Sequence, residues 1–201
     1  MTPISHVVAL TGAIRSELPR CCSDCVFWQT LTITTDAHRK DRWVTTFEDR
    51  HGAWGRALFD ADFFLGLLQY GPASAFPRAR ALPAGPPNQK GVLLTCAYLA
   101  DGDPVGVLER LLLEALADAK GRSFTTVDAF AVGAEDGPLD DRQLLGHHTL
   151  FPRALLARLG FLDERSRGPI TLMRLALRGL QDADQPARAT MVAPHTAAAQ
   201  S

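Results

Sequence analysis

The segment from Gly91 to Val132 constrains the fold of this chain more than any other. It reads as strand, short loop, helix, strand: GVLLTCAYLA, DGDPVGV, LERLLLEALADAKG and SFTTVDAFAV. A single helical crossover between two apolar strands belongs to a mixed α/β sheet with helices on its faces. A strand that hands over to a helix through a glycine-bearing loop leaves backbone N–H groups unpaired at the helix start, where they can hold a phosphate. Here that loop carries Asp101, Asp103 and Pro104, where a phosphate cradle wants glycine and a cation.

With 201 residues, 46% of them hydrophobic, the chain is long enough to bury a sizeable core without a metal or disulfide. Its 21 basic and 22 acidic residues leave a formal charge of −1, which gives no sign of nucleic acid or a membrane surface as partner. No apolar run approaches the roughly 18 residues of a membrane span. The N-terminus lacks the basic-then-apolar pattern of an export signal, so the expected location is cytoplasmic, with reduced thiols. Cys22 and Cys25 form a C-x-x-C, which is half a zinc site or a redox pair. No second C-x-x-C or His pair at finger spacing completes it, although His147 and His148 are adjacent. The expectation is therefore no metal site, with Cys25 a small buried residue beside Val26, Phe27 and Trp28.

Along the chain, residues 6–10 suit a first strand, followed by a short helix near Thr11 to Leu18. The charged stretch from Asp36 to His51 carries Trp43, Val44 and Phe47 at helical spacing, so it predicts an amphipathic helix ended by Gly52 and Gly55. The runs 56–61 and 63–71 predict an antiparallel hairpin. Residues 72–90 hold five prolines and predict a loop with a helical turn at Phe76 to Leu82. After the strand–helix–strand unit come a polar loop from Gly133 to Gly146 and a helix from Phe151 to Leu159, with Pro152 in its first turn. A last strand follows at 169–178. The expected order is β-α-α-β-β-β-α-β-α-β in one domain over 1–180, with 181–201 a disordered tail.

That order resembles the GNAT N-acetyltransferase superfamily, and more narrowly an actinobacterial branch with an N-terminal C-x-x-C-V-F-W-E. The branch motifs read here as Cys22-Ser-Asp-Cys25-Val-Phe-Trp28-Gln29, then Trp43-Val44, then Gly66 through Tyr70-Gly-Pro72 with Phe76-Pro77-Arg78. Leu150-Phe-Pro152 through Gly160-Phe161 supplies the last. The resemblance implies a GNAT-like mixed central sheet, flanking helices and a splay between strands 4 and 5. It implies acyl transfer from acetyl-CoA or another acyl-CoA to a small amine, in specialised metabolism, by a small-molecule enzyme that forms a homodimer. The pantetheine arm would lie along strand 4 at Cys96, Ala97, Tyr98 and Leu99, and the pyrophosphate on the loop and helix start at Gly102, Gly106 and Val107.

The chain departs from the family's Q/R-x-x-G-x-G/A loop. Asp103 stands for Gln/Arg and Leu108 for the last Gly/Ala. A carboxylate repels a pyrophosphate, and Leu108 brings a side chain where close backbone approach is needed. Asp103 and Pro104 also read as a self-contained helix start, N-cap and N1, in which the proline removes one donor. Gln29 replaces the branch's Glu, and Asp128 replaces the Glu of its strand-5 motif. The alternative to acyl transfer is a GNAT-like scaffold that no longer binds CoA.

Three residues are candidates for proton transfer. Asp128, on the Phe130 face of its strand, is either a general base in a cleft or a structural carboxylate paired with an Arg. His148 precedes the last helix and is either a base at an acceptor site or an exposed loop histidine. Tyr98, at the end of strand 4, is either the acid for a departing thiolate or a core ring.

Overall fold

The computed structural model describes residues 5–100, 104–133, 147–148 and 150–177. In chain order it contains β1 (Ser5–Ala9), a 3-10 turn at Gly12–Glu17, α1 (Arg20–Ser23), α2 (Ala37–His51), β2 (Gly55–Asp60) and β3 (Phe63–Pro72). Two short 3-10 turns, Ala73–Ala75 and Pro77–Arg80, lead to β4 (Val92–Leu99), α3 (Pro104–Gly121) and β5 (Thr126–Val132). The chain closes with β6 (His147–His148), β7 (Phe151–Pro152), α4 (Arg153–Arg158), β8 (Leu162–Arg167) and β9 (Ile170–Ala176).

All nine strands among the described residues belong to one sheet of order β1-β2-β3-β4-β5-β9-β8, with β6 attached to β4 and β7 to β5. The β4–β5 and β5–β7 pairs are parallel and the others antiparallel. The sheet is thus mixed and flanked by helices, as the sequence predicts.

Two apolar layers cover it. On one face, α3 turns Leu108, Leu111, Leu112, Ala115, Leu116 and Ala119 onto Val127, Ala129 and Ala131 of β5. Their spacing repeats at three and four residues, the stripe that a sheet-packed helix needs. On the other face, α2 inserts Val44 and Phe47 beside Trp28, Trp54, Phe76 and Phe130. Helix α2 starts where the Asp36 side chain accepts the Arg39 backbone N–H at 2.9 Å, an N-cap that satisfies an otherwise orphaned donor. It ends at Gly52, whose φ of +72° suits a residue without Cβ.

The structure corrects two expectations, the number of strands and the start of the last helix. The six expected strands become nine among the described residues. Strand β8 was missed because LDERSR is exposed at every position, so no apolar alternation betrays it. It is held by β9 and by Arg165, whose guanidinium donates to the Ala84 and Pro86 carbonyls at 2.9 Å each. Helix α3 begins at Pro104, the N1 position that the Asp103-Pro104 reading gives it, so Gly106 and Val107 are helical. The helix expected from Phe151 starts two residues later, because Phe151 and Pro152 pair with Ala131 and Val132 of β5. Residues 134–146 of the expected polar loop and the expected tail at 181–201 lie outside the described residues.

Adjacent leucines of α3 test this layering. Leu112 is fully buried and Leu113 is 52% exposed. Leu112→Ala is expected to cost about 3 kcal/mol in denaturant unfolding, and Leu113→Ala under about 0.5 kcal/mol.

Candidate functional site

Strands β4 and β5 run side by side for only three residue pairs: Val92 with Val127, Leu93 with Asp128 and Leu94 with Ala129. The next residue of β4, Thr95, is where the strand changes course. Across the β3–β4 ladder, Gln69 pairs with Cys96 and Tyr70 with Leu94, so Thr95 is left over as a bulge. A bulge bends its strand and increases the local twist. Beyond it β4 leaves β5, and the two strands take different partners. Ala97 and Tyr98 pair with His148 and His147, while Ala131 and Val132 pair with Phe151 and Pro152. The opening is thus lined from both sides by one short stretch of chain.

A polar network lies under the bulge, on the α2 face. Lys40 is 1% exposed, Gln69 3% and Thr95 0%. The Lys40 ammonium donates to Gln69 Oε1 at 3.0 Å, and Gln29 Nε2 donates to the same oxygen at 3.3 Å. Gln69 Nε2 donates to Thr95 Oγ1 at 3.0 Å, and the Thr95 hydroxyl donates to the Gln69 backbone carbonyl at 2.8 Å. The ammonium also lies over the rings of Trp43 and Trp54, 4.8 and 4.7 Å from their centroids. Among the described residues no carboxylate pairs with it. Burial pulls Lys40 down from its ordinary 10.5 to about 8; the thiols of Cys96, Cys25 and Cys22 oppose that shift and Arg15 adds to it. Sequence reasoning missed this group. The available signal was a lysine in phase with Val44 and Phe47, a charge on the buried stripe of an amphipathic helix.

Cys22, Cys25 and Cys96 line a small cavity beside Gln69, between Trp28 and Trp54. Burial, above all, pushes the Cys96 thiol up to about 12 and raises Cys22 as well. Such thiols are poor nucleophiles at neutral pH. All four cysteines are free, and among the described residues no group of three or more His, Cys, Asp or Glu is arranged to hold a metal.

The residues singled out from sequence fall in different places. Asp128 is fully buried and takes the structural form of its two alternatives. Arg174 Nε donates to its Oδ1 at 2.7 Å and Nη2 to its Oδ2 at 3.0 Å, while the Asn88 backbone N–H donates to Oδ2 at 2.6 Å. This bidentate pair ties β5 to β9. Tyr98 is half-buried, with its ring 6.0 Å from Phe64. The backbone of His148 lies against Ala97. Cys96, Ala97 and Leu99 are buried in β4 at the opening. Gly106 is on the exposed side of the first turn of α3, and Val107 packs against the core. Leu108 is 3% exposed: the sheet face of α3 claims it, which is the physical reason for a leucine where the family motif has a small residue. Gly102 and Asp103 lie outside the described residues.

The same architecture occurs in solved acetyltransferase structures. An N-acetyltransferase from Staphylococcus aureus Mu50 superposes with a TM-score of 0.55 at 12% identity, over 87% of this chain and 99% of that one. The GNAT domain of S. lividans PAT gives a TM-score of 0.53 at 14% identity, over 86% and 90%. The protein yncA from Salmonella typhimurium, solved with its cofactor acetyl-CoA, gives 0.51 at 14%, over 90% and 98%. At these identities the likeness establishes a GNAT-like fold. No protein-family model matches the sequence, and no curated protein does.

Two measurements probe the buried charges. Arg174→Met leaves the Asp128 carboxylate buried without its cation and is expected to cost about 3 kcal/mol in urea unfolding, partly recovered by adding Asp128→Leu. For Lys40 the folded value lies below the unfolded one. At pH values between the two, the unfolded chain holds a proton that the folded chain has released, so stability from this group rises with pH. Below about pH 8 both states are protonated and the slope vanishes. The unfolding free energy of the parent minus that of Lys40→Met should therefore be flat to pH 8 and climb toward pH 10. The raised thiols of Cys22 and Cys96 lower stability above about pH 9 in both proteins and cancel in the difference.

Proposed function

We propose that this protein transfers an acyl group from an acyl-CoA thioester to a small amine. The supporting observation is the β4–β5 opening: a parallel pair that ends at Leu94 and Ala129, with a helix starting five residues past the end of β4. The cofactor of yncA lends the same fold an acyl-CoA. Bound acyl-CoA would supply an activated carbonyl and a thiolate leaving group. Cys96, Ala97 and Leu99 would run along its pantetheine arm, and Gly102, Gly106 and Val107 would meet its pyrophosphate end. Tyr98 stands at the opening as the proposed acid for the thiolate, and His148 as the proposed base for the amine. Asp128, held by Arg174, would shape the base of the opening. The reading includes an actinobacterial GNAT branch, specialised metabolism, a homodimer and a cytoplasmic location. Among the described residues no helix is long and apolar enough to cross a membrane.

The fit to an extended arm is partial, because Ala97 and Tyr98 already pair with His148 and His147. That pairing favours a second reading, in which the scaffold has given up CoA and serves another small molecule.

Calorimetric titration of the full chain with CoA and acetyl-CoA decides between them. Acyl transfer predicts saturable binding, tightened in His148→Pro, whose proline removes a backbone donor and weakens the β6 pairing. A folded protein that gives no heat at millimolar CoA, with His148→Pro equally silent, leaves the second reading. Restoring the family loop with Asp103→Arg and Leu108→Gly is unsuitable, because the glycine would hollow the core beneath α3.

A further inference from the structure

We infer that Lys40, Gln69 and Thr95 act together as a buried positioning device that fixes the β4 bulge and so determines where β4 parts from β5. This deepens the proposal above, since it concerns the same opening.

The direction of the network is dictated from one end. A lysine ammonium can only donate, whereas a carboxamide both donates and accepts. With Lys40 at 3.0 Å, the Gln69 amide must turn Oε1 toward it. Gln29, whose own amide can present either end, follows by donating to the same oxygen from 3.3 Å. The Nε2 group then points at Thr95 Oγ1, 3.0 Å away. A hydroxyl that accepts there directs its own proton elsewhere, and it goes to the Gln69 carbonyl oxygen at 2.8 Å. Gln69 and Thr95 therefore exchange two bonds across the β3–β4 seam, at the residue that the ladder skips. An extra residue in a strand loses its regular ladder partner, and here a side-chain ring replaces it.

The position matters because of what comes before and after. The last β4–β5 pair is Leu94 with Ala129, immediately before Thr95. Ala97, two residues after it, already has another partner. Loss of the bulge would slip Cys96 to Leu99 by one residue against β3 and reverse the faces of those residues. The groups facing the ammonium are the thiols of Cys22, Cys25 and Cys96, the Arg15 guanidinium and the rings of Trp43 and Trp54. None is a competing carboxylate, so the amide of Gln69 is the acceptor toward which Lys40 is drawn. Burying an ammonium without an anion is costly, and an apolar residue would suit the stripe of α2 better for stability alone. What the lysine provides is direction.

The test uses the full chain with Thr95→Val, which keeps the shape and removes the hydroxyl, Thr95→Ser, which keeps the hydroxyl, and Lys40→Met. Amide hydrogen exchange and CoA titration are measured on each. In Thr95→Val and Lys40→Met, exchange at Cys96 and Ala97 is expected to accelerate about tenfold while β1 and β2 hold, and Thr95→Ser is expected to stay within about twofold of the parent. Unchanged exchange, or acceleration spread evenly over the sheet, overturns the inference. Should Lys40→Met not fold, the contrast between Val and Ser at position 95 decides it. If the parent binds CoA, Thr95→Val should bind about tenfold more weakly and Thr95→Ser normally; equal affinity in both overturns the inference. If neither the parent nor His148→Pro binds CoA, acyl transfer fails, and the exchange contrast alone still supports or overturns the positioning role.

Discussion

Where β4 stops running beside β5 governs the rest of this molecule. Three pairs of parallel ladder hold the two strands together at one end. A single surplus residue then sends β4 away, and the opening of the candidate site lies beyond that point. Helix α3 leaves from the far end of β4 and returns to the start of β5, so its leucine stripe clamps the pair from one face. Helix α2 and the aromatic cluster press from the other. The helices hold the strands down, and the bulge lets them part.

Among the described residues, the two charged side chains buried at this sheet are accommodated in opposite ways. Asp128 meets a guanidinium with matching geometry and a backbone N–H, so its charge is balanced locally. Lys40 meets a neutral amide and two aromatic faces, so its charge is spread over dipoles and quadrupoles instead. The first arrangement is rigid and ties neighbouring strands. The second stays sensitive to protonation, because nothing of opposite charge holds the proton in place.

Much of the fold was legible in the sequence where local chemistry and tertiary need coincide. Asp36 and Gly52 bracket α2 because caps are local devices. The β2–β3 hairpin and the strand–helix–strand unit follow from apolar runs whose period matches their burial. Strand β8 was invisible because its partner, and no property of its own side chains, makes it a strand. β6 and β7 are two residues each, and long-range pairing defines them entirely. At the site, Asp128 could be weighed correctly between two forms, but its choice depended on Arg174, 46 residues away. Lys40 was overlooked because a charge in a helix is ordinarily solvated, and only the assembled sheet places Gln69 and two tryptophans around it.

The short strand β6 has a consequence for how this chain survives folding. Parting two neighbouring strands creates sheet edges in the middle of a sheet, each with open N–H and C=O groups. Such an edge is a template for any extended peptide that meets it, including another copy of the same chain. His147 and His148 cover Ala97 and Tyr98, and Phe151 and Pro152 cover Ala131 and Val132. The covering strands are too short to extend the sheet further, and Pro152 can donate no backbone hydrogen bond to a newcomer. One stretch of chain thus seals both edges of the split against foreign strands, a built-in guard against aggregation through the place where the sheet is open.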